Sequence, residues 1–227
     1  TIVERSKLFQ MQLKQRTRAL VLPLDAAREY LHSTAVHDHT SDADNIIAQL
    51  HDYMQEVEQV LQKGKQLEHY QAVLKYVVYN HGTMHTLNAE LHSMHALWSL
   101  VKLIKELQIS FMSVNFLDAA SAEVEKQLRY VKHTIEHKLT DNSSNSSVSA
   151  VHVWLVEALS HLQVVAPIVK KLQAPTQKAS HIARIHALLL RNIYSEEDVS
   201  VGELVDVVHI LTHAAELDVI YEESLFE

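Results

Sequence analysis

The sequence predicts an all-α protein, an elongated antiparallel bundle of seven or eight helices with no sheet. Two observations predict it. Only three glycines and three prolines occur in 227 residues, where average usage gives roughly 16 and 11. Sheets and loop-rich enzymes need those residues at turns, so long helices with few connections remain. Apolar residues also recur at steps of three and four along most of the chain, which is the spacing of one helix face.

In chain order, "TIVERSKLFQMQLKQRTRALVL" reads as a first helix stopped by Pro23, because proline removes a donor and clashes with the preceding turn. Asp25 then offers a cap for a short helix, "DAAREYLHSTAV", and "HDHTSD" follows as a loop. Ser41 and Asp42 are candidate caps for a helix from Ala43, whose stripe is Ile46, Ile47, Leu50, Met54, Val57, Val60 and Leu61. Gly64 is expected to end or bend it. The longest element should run from Gln66 to Phe111 with the stripe Leu91, Met94, Trp98 and Val101.

The next helix is expected over "NFLDAASAEVEKQLRYVKHTIEHKL", with Leu117, Ala120, Val124, Leu128, Val131 and Ile135 inward. "TDNSSNSS" is the single low-complexity stretch. It sets a domain reading of residues 1–139 as an N-terminal bundle, 140–148 as a polar linker and 149–227 as a C-terminal helical part packed on the first. Within the last part a helix kinked by Pro167 and a helix after Pro175 precede a final helix. Ser200, three residues before Glu203, forms a capping box that should open that final helix.

Composition excludes several classes. Without cysteine there is no disulfide framework, thiolate catalysis or cysteine-zinc site. Twenty basic against 28 acidic residues argues against nucleic acid as a partner. The exception is local: Arg5, Lys7, Lys14, Arg16 and Arg18 against Glu4 leave the first 22 residues with net charge +4. Such a helix suits an acidic partner or lipid surface, or is simply a solvated face. No apolar run approaches a transmembrane span. The glycosylation triplets at Asn142 and Asn145 read as accidents of the polar stretch.

Seventeen histidines require a test for metal sites. His81/His85, His133/His137 and His209/His213 have the i,i+4 spacing of one helix face. "HTIEH" at 133–137 matches the inverted zinc-protease pattern, in which two histidines hold zinc and glutamate activates water. On the expected helix, however, His133 and His137 lie roughly 200–240° round from Val131, on the solvent side. His92 and His95 border the Trp98 stripe as core-edge histidines, and Trp98 and Trp154 read as core anchors. The acidic "SEED" at Ser195–Asp198 reads as a charged turn. With no phosphate loop, nucleophile elbow or dinucleotide fingerprint, no catalytic residue, cofactor or resident metal is expected.

The succession "LNAELHSMHALWSLVKLIKELQISF", "NFLDAASAEVEKQL" and "VHVWLVEALSHLQ" resembles the N-terminal helical region of CATCHR-class vesicle-tethering subunits, in particular the Zeste White branch of the endoplasmic-reticulum tether. The resemblance runs from Leu87 to about Leu172 and does not extend to the histidine excess or the C-terminal hundred residues. It implies a non-enzymatic protein-binding bundle in Golgi-to-ER traffic, cytoplasmic and peripheral at the endoplasmic reticulum membrane. Its N-terminal helices would pair with other tether-complex subunits, within a complex that engages SNAREs and coat proteins. A kinetochore or cytoskeletal adaptor, a membrane-surface-binding bundle and a helical metalloprotein are the rival readings.

For partner binding, Ile2, Phe9, Leu13 and Leu20 step by seven, four and seven, the narrow seam of a two-helix contact. The same seam also suits packing of this helix on its own bundle.

Overall fold

The computed structural model describes residues 2–73, 82–139, 150–174, 178–194 and 198–226. Among them stand nine α-helices and no strand: α1 (Ile2–Leu31), α2 (Thr34–His37), α3 (Ala43–Val73), α4 (Gly82–Ser113), α5 (Ser121–Thr134), α6 (Ala150–Leu172), α7 (Ala179–Leu189), α8 (Val201–Asp206) and α9 (Ala214–Phe226). The protein is therefore all-α. The expected polar linker at 140–148 lies outside the described residues. Two compact units are formed, one from Thr1–Lys102 with Asp141–His152, the other from Leu103–Thr140 with Val153–Glu227.

The first unit is built from long helices. Pro23 does not stop α1, which continues for two further turns to Leu31. The carbonyl of Ala19 loses its intrahelical donor at the proline, and burial of Leu24, Ala27 and Leu31 just beyond it offsets that loss where α1 packs along α3. Asp25 consequently sits inside α1, paired with Arg28 at 3.3 Å, instead of capping a second helix. The expected short helix shrinks to the single turn α2.

Asp42 caps α3 as its position predicts, its carboxylate accepting the Asp44 N–H at 3.1 Å. Helix α3 passes through Gly64 without ending. A helical glycine costs only about 1 kcal/mol, less than the burial of Val57, Val60 and Leu61 in the preceding turns contributes. Asp44 pairs with Lys102 and the ring of His51 faces that of His95. Numbers rise on α3 as they fall on α4, so the two helices run antiparallel. Trp98 is fully buried and donates its indole N–H to the Val36 carbonyl at 3.1 Å, which anchors α2 to the core.

The second unit is more broken. The helix expected from Asn115 begins only at Ser121. Asn115 turns the chain first: its side-chain oxygen accepts the Leu117 N–H at 2.9 Å, the local bond by which asparagine competes with helix. Leu117 and Ala120 are accordingly exposed, while Phe116 is buried and stacks edge-on against Tyr194. Gln173 fastens this loop. Its amide nitrogen donates to the carbonyls of Phe116 and Ala119, and its oxygen accepts from the Ser121 hydroxyl.

Helix α6 runs through Pro167. Among the described residues it is the one helix long and apolar enough to cross a membrane by length and composition, where the sequence reads as having none. Its Val151, Leu155, Leu159, Leu162, Val165, Ala166 and Val169 are nevertheless buried, as in the core helix of a folded unit.

The capping box forms as its spacing predicts: Ser200 accepts the Glu203 N–H, and the Glu203 carboxylate accepts the Ser200 N–H, both at 3.2 Å. It opens α8, not a continuous final helix. That helix breaks because His209 takes a left-handed conformation, φ 54°, which histidine tolerates better than most side chains. A turn of 3₁₀-helix, Ile210–His213, leads into α9.

Candidate interaction surfaces

The histidine pairs part company once folded. His81 lies outside the described residues. His209 and His213 do not share a helix face, because the left-handed turn places His209 before the 3₁₀ segment. His133 and His137 do stay together, with ring centroids 4.3 Å apart and both side chains exposed. The backbone there widens into a π-turn, Ile135–Leu139. Among the described residues no three or more histidines and carboxylates converge as a metal-binding group. Of "SEED", residues 195–197 lie outside the described residues, and Asp198 has φ 69°.

In the first unit, His95 is half-buried and its ring centroid lies 6.3 Å from that of His51, with His92 exposed one turn away. Burial depresses the His95 pKa below the ordinary histidine value, with the nearby His51 and then His92 adding to the effect. Tyr30 stacks on Tyr53 at 5.0 Å, and its phenol is pushed up by burial first and by Tyr53 second. Trp154, read as a core anchor, is only half-buried, and its ring lies 5.6 Å from the Lys105 ammonium, a cation–π distance. The depression at the end of α7, lined by Ala183, His186, Ala187, Leu190, Arg191 and Asn192, is shallow and open to solvent.

Apolar surface is the more informative feature. The side chains of Ile2, Phe9 and Leu13 lie outside the described residues, and Leu20 is half-buried. On the helical wheel these four positions continue, within about 60°, into Leu24, Ala27 and Leu31, which are buried within the unit. Turned away from that face are Leu8, Met11 and Leu22, at 59%, 69% and 73% exposure. In the second unit, α6 exposes Val153, Val156 and Val164, steps of three and eight that fall along one side of the helix around the exposed Ser160. The sequence carries these valines in plain view. Spacing alone cannot separate them from the core, since α6 is apolar on its buried face as well.

The fold and surface together define an all-helical protein with exposed apolar rows on two of its helices. Compared with known protein families, with curated proteins and with solved structures, the chain matches none.

Proposed function

We propose that this protein is a non-enzymatic protein–protein interaction module, part of a vesicle-tethering subunit acting between the Golgi and the endoplasmic reticulum on the cytoplasmic face of the membrane. The observation that carries the reading is the exposed row Val153, Val156 and Val164 on α6. Apolar side chains along one side of a long helix are what a partner helix packs against. Val153 and Val156 fall within "VHVWLVEALSHLQ", one of the three segments that resemble the tether family. The Ile2, Phe9, Leu13 and Leu20 seam is the second pairing surface of this reading, toward another tether subunit. Double truncation, Phe9→Ala with Leu13→Ala, separates its two uses. Lost partner binding with unchanged melting supports a partner seam, and a sharply lowered melting temperature assigns it to the bundle's own core.

The identity of the partners is tested by affinity purification of the tagged chain from cells, followed by mass spectrometry. Tether subunits, SNAREs and coat proteins are the expected companions. Kinetochore or motor proteins in their place would move the assignment to an adaptor.

A further inference from the structure

We propose that the outward face of α1 binds the surface of an anionic phospholipid bilayer. The face is defined by Leu8, Met11 and Leu22, the exposed large apolar side chains among the described ones of this helix, which fall within about 60° of one another on the helical wheel. The opposite side of the same helix is the one that buries Leu24, Ala27 and Leu31. The outward row thus lies on the side of α1 opposite the one that packs at Leu24, Ala27 and Leu31.

Charge decides what the row fits. Within a chain of net charge −8, the first 22 residues carry five basic side chains and one acid, Glu4. On the wheel, positions 7, 14 and 18 flank the row on one side, positions 5 and 16 lie further round toward the inward face, and position 4 falls within the row. An apolar strip with lysine and arginine along its flank, in a segment of net charge +4, is the arrangement of a helix lying in a headgroup layer, where long basic side chains reach phosphates. The sign reverses beyond Leu22: Asp25 and Glu29 are exposed there, on the same side of the helix as the row. The contact is thus confined to the first six turns.

A partner helix fits less well. A protein helix would have to set acidic side chains in register along the basic flank, whereas an anionic lipid surface supplies negative charge without register. Shallow adsorption to lipid needs only sparse apolar side chains added to an electrostatic attraction.

The test is sedimentation of the full chain with vesicles of phosphatidylcholine containing phosphatidylserine, against phosphatidylcholine alone, at about 0.1 M salt, where charges are screened beyond roughly 10 Å. Binding to the anionic vesicles only is expected. Leu8→Gln with Met11→Gln should weaken it about tenfold or more, from loss of two apolar contacts, while the melting curve stays in place because both side chains are exposed. Failure to sediment with anionic vesicles, or equal sedimentation of the variant, overturns the proposal. So does binding of an acidic amphipathic peptide in place of vesicles, which assigns the face to a protein helix. The valine row of α6 is untouched in these variants, so either outcome leaves the protein-pairing role of α6 to its own test.

Discussion

The two compact units are held together by different means. In the first, long helices lie antiparallel, with Asp44 against Lys102 and His51 against His95, and one large side chain, Trp98, fills the core and ties down α2. In the second, helices are shorter and the turns between them are fixed by single polar groups. Gln173 holds the loop before α5, Tyr194 donates to the Leu172 carbonyl at 3.0 Å, and Ser200 with Glu203 opens α8. A bundle that buries periodic stripes tolerates a misplaced proline or glycine, as α1 and α3 do. A unit of short helices depends on whether each chain reversal finds donors for its carbonyls.

Substitutions sharpen that contrast. Trp98→Ala should have the largest effect, about 3–5 kcal/mol, because it removes the largest core side chain of its unit and the hydrogen bond to Val36. Chemical denaturation measures it, and a loss below about 1 kcal/mol would show that the first unit does not rest on this anchor. Gln173→Leu should cost less, about 2–3 kcal/mol, since it leaves the Phe116 and Ala119 carbonyls and the Ser121 hydroxyl without this partner. Its signature is local: amide exchange should accelerate over residues 114–121 and hardly change in α3. Uniform acceleration through both regions would erase the distinction drawn between the units.

Smaller effects follow. Ser200→Ala removes one half of the capping box and should cost about 1 kcal/mol, with faster exchange at Glu203. An unchanged Glu203 amide would contradict the capping geometry. For His95 the folded-state pKa is depressed, so near pH 6 the unfolded chain binds more protons at this residue than the folded one. Its contribution is fully present above the ordinary histidine value of about 6.5 and is lost as pH falls through that value toward the folded one. The fall in melting temperature between pH 7.5 and 5.5 should therefore be smaller in His95→Gln than in the parent chain. An equal or larger fall would mean that His95 is not desolvated.

Most of the first unit was legible in the sequence because its determinants are periodic. Of the two stripes, Ile46, Leu50, Val57, Val60, Leu61, Leu91, Trp98 and Val101 are buried where the three-four spacing places them, and Ile47, Met54 and Met94 are half-buried. Pro23 does not stop α1 because the packing of Leu24, Ala27 and Leu31, which local propensity does not register, offsets its cost. In the second unit the Ser200–Glu203 box could be read, since its chemistry lies within four residues. The Gln173 bonds could not, because their partners lie 52 to 57 positions away. Nor was the left-handed His209 marked by a glycine or asparagine. Exposed rows on α1 and α6 were hidden for a related reason: both helices are apolar on two sides, and periodicity does not say which side finds a neighbour in the same chain.

The most direct measurement is site-specific photo-crosslinking from Val156 in cells, with a reactive residue at exposed His32 as the control. The interaction-module account predicts a crosslink from position 156 to another protein, a tether subunit, that is absent from position 32. Crosslinks from Val156 that stay within the chain, or that match the control, would contradict it.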